Sequence, residues 1–151
     1  MLLHTIGRMG EPGTTDAFTT KYIFLGGYNP ALSEIIAASE RMKLIASDIK
    51  TLRLHYARTI HHRHQRTVQA KDQIMALYDE RFYRMWTFYL AGALTAFTHG
   101  RLVNYQIQYI RYRSTLPITR DYISDTRATY RRPMLSRGTY VHFLWRTPRP
   151  T

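Results

Sequence analysis

The amino-acid sequence predicts an α/β fold, because strand-like apolar segments alternate with segments of helical periodicity. Three observations predict it: an apolar run near the first residue, a helical segment followed by a strand-like one, and a long apolar stripe followed by an alternating strand. A chain of 151 residues is long enough for one domain with a hydrophobic core. We therefore expect one α/β domain.

The first predicted strand lies at the start of the chain, where Leu2, Leu3 and Ile6 form an apolar run that stops at Gly7. Such a run is typical of a buried strand whose end carries residues to a site. After a turn-rich stretch comes an aromatic segment punctuated by glycine and proline, with the residues Phe18, Tyr22, Ile23, Phe24, Gly26, Gly27 and Pro30. No G-x-G-x-x-G nucleotide fingerprint follows a strand.

A helix and a second strand are predicted after this segment. Apolar residues recur at helical spacing after Pro30, and either Asn29 or Ser33 could cap the helix. The helix is expected to end near Met42, and Lys43–Leu54 is expected to form a strand and its exit loop.

The longest predicted helical region runs from Tyr56 to about Thr98, which contains no proline and one glycine, Gly92. Its second half has an apolar stripe with steps of three and four residues. The stripe consists of Tyr78, Phe82, Met85, Trp86, Tyr89, Leu90, Ala93, Leu94 and Phe97. The first half has little to bury between Arg58 and Arg66, so we expect either a break or an exposed stretch there.

The last predicted strand follows a helix end at His99-Gly100. Leu102–Tyr112 alternates between apolar and polar residues, as a half-buried strand does. One face has Val103, Tyr105, Ile107 and Tyr109, and the other has Asn104, Gln106 and Gln108.

Basic side chains dominate the charge of the chain, which is +12 overall. Residues 1–100 carry 12 basic and 8 acidic side chains, whereas residues 101–151 carry 10 and 2. Such a field favours anionic partners, either phospholipid headgroups or nucleic acid. Beyond Ile123 we find no stable periodicity, so residues 124–151 are expected to form a basic, poorly ordered tail.

The compartment is predicted from what the sequence lacks. Without cysteine there is neither a disulfide framework nor a thiolate metal site, which fits a reducing compartment. No apolar run approaches the roughly 18 residues of a membrane span, and the first residues do not have the pattern of a secretory signal. We expect a cytoplasmic protein whose contact with the inner membrane surface is peripheral.

Five segments in order identify a family. They are HTIG at His4–Gly7, KYIFLGGYNP at Lys21–Pro30, DERFYRMWTFYLAG at Asp79–Gly92, QIQ at Gln106–Gln108 and PITRDYI at Pro117–Ile123. The series resembles the C-terminal part of cyclopropane-fatty-acyl-phospholipid synthases, also known as mycolic acid cyclopropane synthases. The resemblance covers about residues 1–123.

The resemblance implies the C-terminal part of a Rossmann-like class I methyltransferase fold: an incomplete sheet with a long helix and a closing antiparallel strand. The family uses S-adenosylmethionine to add a methylene group to a cis double bond of a phospholipid acyl chain. The family's cofactor strand is expected upstream of Met1, so the chain is expected to be a fragment that is inactive alone. Its expected partners are phospholipid acyl chains and either a separate N-terminal half or a second copy of the chain.

The resemblance also implies site residues. In the family, methyl transfer leaves a carbocation, and a bound bicarbonate takes the proton that allows the ring to close. His4, the backbone of Ile6, and Tyr56 in the LRLHY segment match its bicarbonate ligands, while Phe24 and Tyr89 are expected lipid contacts. Taken alone, His4 is more simply a structural residue, Tyr56 an ordinary half-buried aromatic, and most of the apolar stripe a core.

Other features admit rival interpretations. His61, His62 and His64 suggest a metal site, but they do not share one helix face and are better explained as a solvated basic surface. Leu25 stands where the family commonly has proline before a Gly-Gly turn. The rival function is a non-catalytic basic module, with arginines and the tyrosines of residues 105–140 holding an anionic membrane or, less expected, nucleic acid. A third alternative is a remnant with an exposed strand edge that aggregates or dimerises.

Overall fold

The computed structural model describes residues 1–131, which fall into two compact units, residues 1–113 and a second unit that begins at Ser114. The first unit contains three strands, β1 (Leu2–Arg8), β2 (Ile45–Leu52) and β3 (Leu102–Ile110). Its helices are α1 (Ala17–Tyr22), α2 (Leu32–Arg41), α3 (His55–Gln69), α4 (Lys71–Leu77) and α5 (Glu80–Thr98). The three predicted strands and the helices α2 and α5 are present in the predicted order.

The three strands form one sheet in the order β1-β3-β2, and both pairings are antiparallel. In the register, His4 lies opposite Gln106 and Ile6 lies opposite Asn104. Lys50 of β2 also lies opposite Gln106, on the other side of β3. The last strand of the unit is therefore inserted between the first two, and this confirms the predicted closing antiparallel strand.

One face of the sheet packs against α2. Every second residue of β3 points to this face and is buried: Val103, Tyr105, Ile107 and Tyr109. Leu32 and Ile35 of α2 pack against this cluster, together with Leu3 of β1. The alternation predicted for β3 is confirmed, although Asn104 on the opposite face is also buried.

The opposite face of the sheet packs against α3 and α5. Ile6 and Leu102 contact a second buried cluster, whose members are Ala57, Ile60, Leu90 and Phe97. Because side chains alternate along a strand, the side chains of Leu3 and Ile6 lie on opposite faces of the sheet. Helices therefore cover both faces of the sheet, as in a doubly wound α/β fold.

The start of α2 differs from the prediction. The N-cap is Ala31, not Asn29 or Ser33, and it makes no side-chain capping bond. Instead the carboxylate of Glu34 accepts a hydrogen bond from the Ala31 N–H at 2.7 Å. The Glu34 carboxylate thus satisfies the N–H of the N-cap residue itself, as the acidic half of a capping box does.

The helical region after Tyr56 is divided into α3, α4 and α5. The division falls at Ala70 and at Tyr78-Asp79, so no break occurs between Arg58 and Arg66. The expected exposed stretch is present there, since Ile60 is its one buried residue. A narrow stripe of Ala57, Ile60 and Thr67 is enough to hold α3 against the rest of the unit.

Both ends of α5 have clear local causes. Asp79 caps the first turn, where its carboxylate accepts a hydrogen bond from the Phe82 N–H at 2.6 Å. At the other end a Cβ on Gly100 would lie 2.6 Å from the Ala96 carbonyl oxygen, so only glycine fits. The predicted end at His99-Gly100 is confirmed.

The aromatic segment forms a helix that periodicity did not predict. Asp16 caps α1 by accepting a hydrogen bond from the Thr19 N–H at 2.8 Å. The ring of Phe18 lies 5.3 Å from that of Tyr22 and 4.9 Å from that of Phe88, between ring centroids. Aromatic packing therefore supplies the stability that six residues alone would lack.

The second unit contains a sixth helix, α6 (Asp121–Arg131). We expected no regular structure after Ile123, and for residues 124–131 that prediction was wrong. The segment of α6 contains neither glycine nor proline, and Asp121 provides an acidic first turn. The rest of the predicted tail, residues 132–151, lies outside the described residues.

None of the helices within residues 1–131 is both long enough and apolar enough to cross a membrane.

The buried face of β3 should dominate the stability of the first unit. Ile107 is 0% exposed, whereas Ile118 is fully exposed. We predict that Ile107→Ala lowers the free energy of unfolding by about 2–5 kcal/mol, because it leaves a cavity in the core. The matched change Ile118→Ala should have an effect of no more than about 0.5 kcal/mol. Urea unfolding measures both, and equal effects would contradict the placement of β3.

Candidate functional site

A cavity of about 300 Å³ lies between the start of the chain and α5. We call it the β1–α5 cavity. Its lining is mainly aromatic and aliphatic and comprises Ile6, Thr15, Asp16, Phe18, Thr19, Phe24, Asn29, Phe88, Tyr89, Gly92, Ala93, Ala96, Phe97 and Leu102. A concave, mostly apolar site with a few polar groups is typical of small-molecule binding.

Three of the residues singled out in the sequence line this cavity, namely Ile6, Phe24 and Tyr89. The rings of Phe24 and Tyr89 pack edge to face, with centroids 6.0 Å apart. Tyr56 lies next to them, since its ring centroid is 4.9 Å from that of Phe97, which also lines the cavity. The structure therefore brings four of the five predicted site residues to one region.

The turn that presents Phe24 forms with leucine, not proline, at position 25. The Gly27 N–H donates to the Phe24 carbonyl at 2.9 Å, and Gly26 has a φ of 69°. Glycine at the third position accepts this positive φ, so the turn does not depend on proline at the second. Leu25 is left 85% exposed at the tip.

The cavity also has polar lining. The carboxylate of Asp16 caps α1, and this hydrogen bond from the Thr19 backbone lowers the pKa of Asp16. The hydroxyl oxygen of Thr15 is buried and has no hydrogen-bond partner within residues 1–131. Buried polar groups are nearly always paired, so the Thr15 hydroxyl is an exception, and a ligand in the cavity reaches it only if the side chain rotates.

The pKa of the Tyr89 hydroxyl is raised by its position in the structure. Burial is the main cause that raises the pKa of Tyr89, and the negative charge of Asp16 raises it further. Arg63 opposes them, and its guanidinium carbon lies 6.0 Å from the centroid of the Tyr56 ring. Tyr89 therefore stays protonated at neutral pH and can donate a hydrogen bond inside the cavity.

His4 is held against β3 and does not line the cavity. Asn104 Nδ2 lies 3.2 Å from His4 Nε2, and Gln106 Nε2 lies 3.1 Å from His4 Nδ1. Both contacting atoms are amide nitrogens, which only donate, and a neutral imidazole has one bare nitrogen that accepts, so the ring accepts from one of the two amides. The other contact becomes a hydrogen bond only if that amide turns its oxygen to the ring N–H. Asn104 is 4% exposed, and its Oδ1 is buried without a partner in the part of the chain that the structure describes.

The backbone of Ile6 points to the outer edge of β1. Met1 and Tyr109 exchange two hydrogen bonds, of 2.9 and 2.8 Å, so odd-numbered residues of β1 direct their backbone groups to β3. Even-numbered residues point the other way, as shown by the Arg8 N–H, which donates to the Pro30 carbonyl at 2.9 Å. The Ile6 N–H is thus a donor at an edge that no strand of the described sheet covers.

Sequence reasoning assigned no role to four polar residues near the site, Thr15, Arg63, Asn104 and Gln106. Arg63 lies two helical turns after Tyr56, so helical spacing would have placed both on one face of α3. Gln106 stands in the QIQ segment, but only the register shows that it faces His4. Nothing in the sequence marks Thr15, because its significance depends on burial.

Two rival features can be located. His61 and His62 are exposed, and within residues 1–131 no group of three or more histidine, aspartate or glutamate residues could hold a metal ion. Tyr105 and Tyr109, counted among the tyrosines of a basic binding surface, are buried against α2 and cannot stack on a base or a headgroup. The arginine-rich residues 132–151 lie outside the described residues.

Comparisons with known proteins decide the family. The profile of the mycolic acid cyclopropane synthetase family matches residues 1–107. The chain belongs to this family. It is 35% identical over 122 residues to a probable fatty acid methyltransferase of Pseudomonas putida, which covers 78% of this chain and 31% of that protein. It is also 32% identical over 110 residues to the cyclopropane-fatty-acyl-phospholipid synthase of Escherichia coli K12. That match covers 73% of this chain and 28% of the Escherichia coli protein.

Solved structures of cyclopropane synthases share the fold. The cyclopropane synthase MmaA2 from Mycobacterium tuberculosis matches with a TM-score of 0.66 and 25% identity, over 72% of this chain and 42% of that chain. The mycolic acid cyclopropane synthase CmaA1, complexed with SAH and CTAB, matches with the same TM-score and identity. The match covers 72% of this chain and 43% of that chain. The predicted fold class is confirmed. The chain spans less than a third of the length of the two curated relatives above.

The residues that the structure describes, 1–131, do not fit S-adenosylmethionine. In doubly wound sheets a dinucleotide-type cofactor lies over the ends of parallel strands, at a glycine-rich turn that opens a helix. Here both strand pairings are antiparallel. Gly10 and Gly13 follow β1, but a Cβ on Gly13 would overlap the Arg8 guanidinium, which also donates to the Thr14 carbonyl at 2.8 Å. That loop is filled by arginine and offers no cradle for the cofactor.

The environment of Tyr89 predicts a pH dependence of stability. Folding raises the pKa of Tyr89, so its contribution is fully present below the usual tyrosine pKa of about 10 and is lost as the pH rises through the higher folded value. When the pH is raised from 8 to 11, the free energy of unfolding should therefore fall less in Tyr89→Phe than in the wild type. Urea midpoints at the two pH values measure this, with the exposed Tyr130→Phe as the control. Identical losses in all three proteins would contradict the burial of Tyr89.

Proposed function

We propose that this chain supplies the acyl-chain slot and part of the anion site of an S-adenosylmethionine-dependent lipid methyltransferase of the cyclopropane synthase type. The observation that supports it is the β1–α5 cavity, whose apolar walls include Ile6, Phe24 and Tyr89. The proposed substrate is a cis-unsaturated acyl chain of a phospholipid. The names of the relatives above, a fatty acid methyltransferase and a fatty-acyl-phospholipid synthase, favour this class.

The cavity suits an acyl chain for physical reasons. Methylene groups gain about 0.8 kcal/mol each when they leave water for an apolar wall. The aromatic rings of Phe18, Phe24 and Phe97 supply such a wall, and they also keep water from the reacting carbon. The hydroxyl of Tyr89, which lines the cavity, can orient the polar end of the lipid or a bound anion.

Bicarbonate is the proposed anion, with His4, the Ile6 N–H and Tyr56 as its ligands. The outward direction of the Ile6 N–H supports this assignment, because a backbone donor at an open edge needs an acceptor. His4 can join only if its ring exchanges one of the contacts with Asn104 or Gln106 for the anion. The anion would then accept the proton that the substrate loses when the ring closes.

The cofactor must be held by other residues than these. We propose that the active enzyme consists of this chain together with a cofactor-binding part, either a separate N-terminal half or a segment joined to it, and that this chain is inactive alone. The outer edge of β1 is a suitable place for such a part, since no strand of the described sheet pairs with it, although its Arg8 end bonds to the Pro30 carbonyl. A homodimer through the same edge is the other arrangement.

The proposed location is the inner membrane surface, reached from the cytoplasm without a membrane span. The net charge of +12 supports it, because a basic protein is attracted to anionic phospholipid headgroups. The same attraction would bring the acyl chains of the substrate to the enzyme.

The catalytic proposal is tested in a chimera. This chain replaces the matching 31% of the Pseudomonas putida relative, and transfer of labelled methyl groups to oleoyl phospholipid vesicles is measured. We expect transfer by the chimera, and a loss of about a hundredfold or more in His4→Ala and in Tyr56→Phe, because each removes an anion ligand. The control is Tyr78→Phe, which removes the hydroxyl of a tyrosine that is exposed and does not line the cavity. Its transfer rate should match that of the unchanged chimera.

A chimera that folds but loses nothing in the His4 and Tyr56 variants would contradict the anion site. A fold-competent chimera with no transfer at all would contradict the proposed activity itself. Circular dichroism and S-adenosylmethionine binding of each variant separate these outcomes from misfolding.

The cofactor proposal has its own measurement. Titration of S-adenosylmethionine into the isolated chain in a calorimeter should give no binding heat at millimolar concentration. The chimera should bind it under the same conditions. Saturable binding to the isolated chain, at any affinity tighter than about 1 mM, would show that these residues do hold the cofactor.

A further inference from the structure

Gly92 is a glycine that the fold does not require. It lies in the interior of α5, where glycine destabilises a helix by about 1 kcal/mol relative to alanine. Its φ is not positive, and a Cβ built on it would meet no atom within 4 Å. At Gly100, in contrast, a Cβ would collide with the Ala96 carbonyl. Folding therefore accounts for Gly100 and leaves Gly92 without a structural reason.

The free space over Gly92 belongs to the β1–α5 cavity, because Gly92 is one of its lining residues. Its neighbours on α5, Ala93 and Ala96, also line the cavity and also carry small side chains. The aromatic rings of Phe24 and Tyr89 form another part of the wall. Gly92 is itself exposed, so it lies where the cavity opens to solvent.

We propose that Gly92 is the residue that determines which acyl chains enter the cavity. The missing side chain leaves room for a linear hydrocarbon chain to lie directly on the backbone of α5. Any larger side chain at this position narrows the opening in proportion to its volume. This inference rests on the proposed acyl slot and names the residue that sets its width.

The proposal predicts that Gly92→Ala stabilises the fold and weakens binding of the hydrocarbon. Alanine removes the helix penalty of glycine and meets no steric obstacle, so Gly92→Ala should raise the melting temperature. The same methyl group occupies space that the hydrocarbon needs, so binding should weaken. A glycine kept for folding would show the reverse, a lower melting temperature and no specific change in binding.

The experiment uses the 151-residue chain and a fluorescent fatty acid, cis-parinaric acid, displaced by oleic acid. Gly92→Ala should melt about 2–4 °C higher than the wild type and bind the probe about fivefold more weakly. Gly92→Leu should bind it more than about tenfold more weakly, because a filled site must be forced open. The matched control is Ala91→Leu, which adds the same side chain at an exposed α5 position outside the cavity lining and should bind within about twofold of the wild type.

The outcomes separate the two proposals. If the wild type binds and Gly92→Leu binds equally well, the role of Gly92 is overturned and the acyl slot stands. If the wild type binds neither fatty acid, the acyl slot fails and the inference fails with it. Should Gly92→Leu unfold, Gly92→Ala decides, since a lower melting temperature or unchanged binding in that variant overturns the inference.

Discussion

The insertion of β3 between β1 and β2 is the constraint on which the rest of the first unit depends. β3 pairs with both neighbours, and its alternate residues are buried against α2 while Leu102 contacts the cluster of α3 and α5. Without β3, the first strand would have no neighbour in the described sheet. The segment that closes the fold is thus also the one that fixes where the first residues of the chain lie.

The register of that strand also arranges the site. Because His4 lies opposite Gln106 and Ile6 opposite Asn104, the two amide side chains reach the His4 ring while Ile6 turns towards α5. The same pairing directs the Ile6 N–H to the outer edge of β1. An apolar cavity, a backbone donor and an oriented imidazole therefore follow from one antiparallel pairing. In the function proposed above, they are the parts of the lipid-modifying site that do not involve the cofactor.

Local patterns in the sequence predicted the strands, α2 and α5, because hydrophobic periodicity and a helix-ending glycine are short-range signals. They failed where stability depends on distant contacts. Helix α1 is held by the packing of Phe18 on Phe88, 70 positions away. The start of α2 was missed for a local reason, because the Glu34 carboxylate bonds back to the Ala31 N–H and no side chain at the N-cap position is needed. The family resemblance indicated His4, Ile6 and Tyr56, but the contacts of His4 with Asn104 and the buried hydroxyl of Thr15 arise only in three dimensions.

The central claim is that the β1–α5 cavity holds the acyl chain, and photo-crosslinking tests it most directly. A cis-unsaturated fatty acid with a diazirine at mid-chain would be bound to the isolated chain, irradiated, and its adducts located by mass spectrometry. The account predicts labels on the peptides that carry Phe24 and residues 88–97, suppressed by excess oleic acid. Labels confined to the groove of Leu3, Ile35 and Leu44 on the opposite face of the sheet would contradict it.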